Sequence, residues 1–241
     1  MSQAPTPSLV AAAALRIASY NIRKCVGLDW RRRPARVMEV IDALGADVIA
    51  LQEADRRLGP RRAALPHDMV ARAGWHALPG HAAGGVSLGF HGNAILLRPE
   101  AEIEELAPLH LPALEPRGAL VADIRLRGRG LRIVGVHLGL RRRDRRRQIM
   151  AIAADLALRD PRPTIIMGDF NSWGGAEDFA ALGPGFAVHA PGHSFHAARP
   201  LAPLDRIVTG PGVTLTAHGV HRDGPAPRAS DHLPIWADIA V

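Results

Sequence analysis

Six short apolar runs in this chain each begin or end on an acid, an amide or an imidazole, and that pattern constrains the fold most. Five runs close on Ser19-Tyr20-Asn21, Leu51-Gln52-Glu53, Gly135-Val136-His137, Gly168-Asp169-Phe170-Asn171 and Ser230-Asp231-His232 or open from them; a sixth opens at Leu204-Asp205-Arg206. Apolar runs of four to eight residues bounded by turn signals are the mark of buried strands. Strands packed as sheets bring such ends together on one rim, where residues distant in sequence can share a site.

The rest of the pattern agrees with sheets covered by helices. Leu15, Ile17, Ser19 and Asn21 alternate onto one strand face. Val37, Val40, Ile41 and Leu44 have helical spacing, with Pro34 near the start and Gly45 past the end, which predicts a helix over 34–44. A second helix is predicted over 144–159 with Ile149, Ile152 and Leu156 inward. Further strands are predicted at 47–51, 94–97, 119–126, 131–138, 164–167, 206–209, 213–220 and 234–239, with a hairpin at Gly128-Arg129-Gly130. Many short strands and a few helices give an α+β class, two packed and mostly antiparallel sheets with helices outside. Stretches 54–92 and 98–118, rich in Gly, Pro, Arg and His, read as rim loops that set substrate choice.

No repeat or linker divides the 241 residues, and the candidate site residues run from 21 to 232, so a single domain over 15–241 is expected after a lead-in at 1–14. The apolar run 9–15 has no Lys or Arg before it and is shorter than the ~20 residues that span a bilayer. With a single cysteine, Cys25, nothing requires an oxidising compartment, and the expected location is cytoplasmic. No base motif flanks Cys25, which reads as an ordinary residue rather than a nucleophile.

A formal charge of +7 suits an anionic partner, although Lys24 is the only lysine among 30 basic residues and an arginine-rich composition accounts for the charge equally well. The run 141–147 holds six arginines and reads as a solvated helix face, or else as a phosphate-tracking patch. Aromatic residues are only 4% of the chain and its tryptophans are scattered, which argues against base stacking on single strands; Trp173, close to Asn171, is placed at the pocket.

Hydrolysis of a phosphate ester needs charge neutralised on the phosphoryl oxygens, a water oriented and deprotonated, and the leaving oxygen stabilised. A hard divalent cation serves the first and third needs and prefers carboxylate oxygens, here Glu53 and Asp231. Asn21 is a neutral oxygen ligand or an amide donor to phosphate. Asp169 and Asn171 can point to one side, one holding water and the other a phosphate oxygen. His232 is a base or a phosphate donor with Asp205 fixing its tautomer, and His137 is a second donor or an acid. Each has a plainer reading: Asn21 and Asn171 as turn residues, Glu53 paired with Arg56 or Arg57, Asp205 with Arg206, His137 as a core histidine. The other histidines lack zinc-ligand spacing, though His193 or His196 could reach the site.

Taken in order, Ser-Tyr-Asn-Ile, Leu-Gln-Glu, Val-His-Leu, Gly-Asp-Phe-Asn, Leu-Asp-Arg-Ile and Ser-Asp-His resemble the endonuclease/exonuclease/phosphatase superfamily over nearly the whole chain. The resemblance implies a four-layer α/β sandwich and a Mg²⁺-dependent phosphoesterase, with Mn²⁺ as a substitute. It implies Glu53 as principal metal ligand with Asp231 and Asn21, Asp169 on water, Asn171 on the scissile phosphate, and Asp205 paired with His232. Val-His-Leu at His137 is similar to pancreatic-type deoxyribonucleases and sphingomyelinases rather than abasic-site endonucleases. Gly92-Asn93-Ala94, Glu115-Pro116-Arg117-Gly118 and the segment 200–207 resemble small bacterial members, which adds Asn93 and Arg117 as phosphate contacts or loop braces. The expected activity is hydrolysis of a phosphodiester, in DNA or in a phospholipid or small-molecule headgroup, by a monomer. A phosphomonoesterase such as an inositol-phosphate phosphatase, and a silent scaffold retaining the fold, are the alternatives.

Overall fold

Alternation along the first strand already sets the layers. In the computed structural model, which describes residues 14–56, 59–78, 86–113 and 117–241, β1 (Leu15–Asn21) sends Leu15 and Ile17 to one buried face and Ala18 and Tyr20 to another. After α1 (Pro34–Ala43), the strand β2 (Val48–Gln52) divides in the same way, as does β4 (Ala94–Leu97), which follows α2 (His67–Arg72) and β3 (His76–Ala77). The second half contributes β5 (Glu102–Leu111), β6 (Arg117–Leu126), β7 (Arg129–His137), α3 (Arg142–Ala157), β8 (Thr164–Asp169), β9 (Ala187–His189) and β10 (Asp205–Thr209). The chain returns through β11 (Thr214–Val220), α4 (Ala226–Ala229) and β12 (Ile235–Ala240).

Two six-stranded sheets result, ordered β11-β12-β1-β2-β4-β3 and β5-β6-β7-β8-β10-β9. Among the described residues only β1 with β2 and β7 with β8 pair in parallel, each pair bridged by a helix-containing crossover. Ile17, Val48, Ile95, Ile133, Met167, Ile207 and Ile235 fill the space between the sheets. Val37, Val40 and Ile41 of α1 cover the outer face of the first sheet, and Ile149 and Ile152 of α3 cover that of the second. Helices outside two packed sheets make the four-layer α/β sandwich. Among the described residues no helix is long and apolar enough to cross a membrane. The lead-in at 1–13 lies outside the described residues.

Three expectations are corrected. The stretch 98–118, read as a loop, contains the ten-residue β5, paired antiparallel with β6 along its length. Its Glu102, Glu104 and Glu105 and its Pro108 hide a strand because β5 lies at the sheet edge, where one side needs no partner and its outer residues face water. The expected loop over 54–92 likewise holds α2 and β3. The second helix begins two residues early, at Arg142, and Arg145 is buried, donating to the Leu140 carbonyl at 2.6 Å.

Candidate active site

The period-two alternation that builds the inter-sheet core also delivers the site. Ser19 and Asn21 follow Ile17 on the same face of β1; His137 follows Ile133 on β7; Asp169 follows Ile165 and Met167 on β8; Asp205 precedes Ile207 on β10. At one end of the apolar layer those positions turn polar. Parallel pairing of β7 with β8 sets His137 beside Asp169, and antiparallel pairing of β8 with β10 sets Asp169 beside Asp205.

Asp169 is the hub. Its Oδ2 accepts the Asn21 side-chain amide at 3.0 Å, and its Oδ1 accepts the Asn171 backbone N–H at 2.9 Å. Nε2 of His137 and Nε2 of His232 stand 3.5 and 3.6 Å from the same Oδ2. His232 Nδ1 donates to Asp205 Oδ2 at 2.8 Å, and Ser194 Oγ donates to that oxygen at 2.5 Å. The ring of Phe195 lies 4.9 Å from the imidazole of His232. Burial works against a charged His232, yet the Asp205 and Asp169 carboxylates outweigh it and raise its pKa to about 9. At neutral pH His232 is therefore an imidazolium held between two acids. Asp205 Oδ1 is buried without a hydrogen-bond partner, and the adjacent positive ring offsets part of that cost.

A second tier lies nearer the surface. The Glu53 side chain is 18% exposed and that of Asp231 23%, against 2% for Asp169. The turn after β1 binds both: the Lys24 ammonium pairs with Glu53 Oε2, the Lys24 N–H donates to the Glu53 carbonyl at 3.0 Å, and Arg23 Nε lies 3.3 Å from Asp231 Oδ2. Asn21 Oδ1 accepts the Arg23 N–H at 3.1 Å, and Ser230 Oγ donates to the Asn21 carbonyl at 2.6 Å. Arg23, Lys24, Cys25 and Glu53 all have positive φ, from 45° to 59°. Four non-glycine residues in the left-handed region carry strain of the kind found where side-chain placement matters.

Two groups could hold a metal ion. Asp169, Asp205 and His232 offer ligand atoms within 4.8 Å of one another. In that group both imidazole nitrogens face acids, Nδ1 against Asp205 and Nε2 toward Asp169. The oxygen donors of Glu53, Asp231 and Asn21, each bound to the Arg23–Lys24 turn, are of the type a hard cation takes, and the Lys24 ammonium on Glu53 marks a place where positive charge is favoured.

The structure brings Asn21, His137, Asp169, Asn171, Asp205 and His232 together, with Glu53 and Asp231 held against the adjoining turn by Lys24 and Arg23. Glu53 is paired with Lys24, and the carboxylate of Asp205 with His232 and Ser194 while Arg206 bonds its backbone carbonyl. Asn171 spends one amide hydrogen on the Leu138 carbonyl at 2.9 Å. Asn93 is braced, its amide donating to the Gly118 carbonyl at 2.8 Å, beside Arg117 at the start of β6. Trp173 stands 69% exposed on the rim, and His193 and His196 are also exposed. Sequence reasoning missed Lys24, Arg23, Ser194 and Ser230 as site residues. The one available signal was a single lysine in an arginine-rich chain, at the middle of the strained turn Arg23–Cys25. Cys25 is buried, which pushes its thiol up to about 12, so it is no nucleophile.

Comparison with known proteins places this arrangement. The Escherichia coli K12 protein YbhP is 31% identical over 170 residues, 63% of this chain and 63% of that protein's length. The structure of Danio rerio TDP2 complexed with a single-strand DNA product superposes with a TM-score of 0.74 at 19% identity, covering 95% of this chain and 100% of that one. A mannosyl-6-phosphatase from Bacteroides thetaiotaomicron superposes with a TM-score of 0.75 at 18% identity, covering 94% and 100%. At such identities the two structures show a shared fold. The profile of one family matches residues 18–232, from β1 to the terminal Ser-Asp-His, and the chain belongs to the Endonuclease/Exonuclease/phosphatase family.

Proposed function

We propose that the protein hydrolyses phosphate esters, a phosphodiester before a monoester, with Mg²⁺ as the working cation and Mn²⁺ as a substitute. The observation that supports this best is the Asp169 carboxylate, held by Asn21 from the opposite sheet and flanked by two imidazoles. Glu53, Asp231 and Asn21 would hold the divalent ion, whose chemistry is to neutralise charge on the phosphoryl and leaving oxygens. Asp169 accepts the proton of the attacking water as the water oxygen bonds phosphorus and the opposite P–O bond breaks. His232, positive and oriented by Asp205, donates from Nε2 to a non-bridging oxygen. His137 donates from the other side of Asp169, and the second amide hydrogen of Asn171 is directed to the phosphate.

A nucleic acid and a phospholipid or small-molecule headgroup present the same diester to these residues. TDP2 was solved with DNA product and the Bacteroides relative is a phosphatase, so both ester types are to be assayed. The test is release of p-nitrophenol from bis-p-nitrophenyl phosphate with Mg²⁺ or Mn²⁺, with and without EDTA. Asp169→Asn and His232→Gln are expected to lose ~100-fold or more. An inert wild-type protein, or variants as active as wild type, would overturn the assignment. Plasmid DNA, abasic duplex, phospholipid, inositol phosphates and p-nitrophenyl phosphate in parallel assign the ester class.

A further inference from the structure

Beside the Glu53 turn lies a cavity of about 410 Å³ that the chemistry above leaves unused. It sits at the same end of the first sheet as the site. β2 ends at Gln52, and the antiparallel β4 begins at Ala94, so the segment 90–93 lies directly over Glu53. The Ala54 N–H donates to the Gly92 carbonyl at 2.9 Å, and a Cβ on Gly92 would come 3.6 Å from the Glu53 Cα. His91, one residue away, is a wall of the cavity together with Pro60, Arg61, Ser87 and Phe90.

The polar groups in that wall are unbalanced. Asp55, the one acid there among the described residues, is already used: its Oδ2 accepts Ser87 Oγ at 2.5 Å and its Oδ1 accepts the Leu88 N–H at 2.9 Å. Arg61, half-buried, bonds His91 Nδ1 at 3.2 Å and, among the described residues, no carboxylate. Because a guanidinium only donates, Nδ1 of His91 must accept, which places the ring proton on Nε2. Burial and the neighbouring Arg61 lower the His91 pKa, so the ring stays neutral. Both Arg61 and His91 are at φ 49°, a backbone conformation that holds the pair in place at a cost. Phe90 packs edge-on to His91 and His110, with centroids 4.2 and 4.9 Å away, and Gly118 leaves room for its ring. A half-buried cation that bonds no carboxylate among the described residues, an imidazole N–H and an aromatic wall are the parts of an anion pocket.

We propose that this cavity is a second anion subsite, in which Arg61 and His91 hold a phosphate or carboxylate that the substrate carries beyond its scissile ester. This rests on the phosphoester hydrolase reading and narrows it to esters bearing a second negative group, as in a neighbouring nucleotide phosphate or a bisphosphorylated small molecule.

Binding is measured first, in EDTA, by titrating inorganic phosphate while following the His91 imidazole by NMR. The His91 resonance shifts in wild type and in Glu53→Gln. In Arg61→Gln the affinity falls at least tenfold, and Arg61→Lys restores part of it. No His91 shift in wild type, or equal affinity in Arg61→Gln, would overturn the subsite. Hydrolysis is then compared for p-nitrophenyl phosphodiesters of thymidine and of glycerol, each with and without a further phosphate on the alcohol. Arg61→Gln raises KM about tenfold only for the doubly phosphorylated esters, and the better of the two alcohols identifies the source. Wild-type KM values unchanged by the extra phosphate would refute its role in substrate choice. If none of the esters is cleaved while phosphate still moves His91, the hydrolase reading fails and the anion site stands.

Discussion

At the scale of single residues, two charged contacts give the sharpest tests. His232 has a folded pKa of about 9, raised above its ordinary 6.5 by Asp205 and Asp169 against the effect of burial. Its stabilising contribution is therefore complete below pH 6.5 and is lost as pH climbs through 9. Asp205→Asn removes the acid bonded to Nδ1; the NMR midpoint of His232 is expected to drop by at least ~1 unit, and the fall in melting temperature between pH 6.5 and 9.5 to flatten. An unchanged midpoint would mean that Asp205 does not set the charge of His232. Lys24, paired with Glu53, competes with any cation bound there. Lys24→Met is expected to tighten Mn²⁺ binding several-fold, read by calorimetry, while lowering kcat; weaker binding would show that the ammonium organises the carboxylate rather than competing for it.

At the scale of elements, the close approach of β7 and β8 is what joins His137 to Asp169. Gly168 permits it: a Cβ there would meet the Val136 carbonyl oxygen at 1.9 Å, a backbone atom that cannot step aside. Gly168→Ala should cost ~1–3 kcal/mol by overpacking, measured by urea unfolding, and should lower activity further by moving Asp169. Activity at wild-type level would mean that the sheet tolerates a wider gap. The elements also show where sequence reading stops. The buried strands β1, β2, β7 and β8 were legible because each is a largely apolar run that closes on a polar residue. β5 was not, since an edge strand meets water and carries Glu102, Glu104, Glu105 and Pro108 without penalty. Lys24 escaped notice because a three-residue turn has no periodicity to mark it.

At the scale of the whole molecule, the inter-sheet layer and the site are one construction. Met167, fully buried in that layer, is two residues from Asp169 on the same face of β8. Met167→Ala is expected to lose ~2–5 kcal/mol, and unfolding followed by far-UV and tryptophan signals should remain one coincident transition because both sheets share the layer. Separate transitions would show that the sheets melt independently and that 15–241 is not a single cooperative domain.

The sequence by itself determined which buried strands exist, which of their faces are apolar and which chemical groups end them, because local periodicity and residue type are properties of neighbours along the chain. Only the tertiary structure decided that Asn21 from one sheet reaches Asp169 in the other, that Asp205 and His232 meet across 27 residues, and that Arg61 faces His91 beside Glu53. Those contacts follow from register and sheet packing, which depend on how distant strands fit together rather than on any single segment.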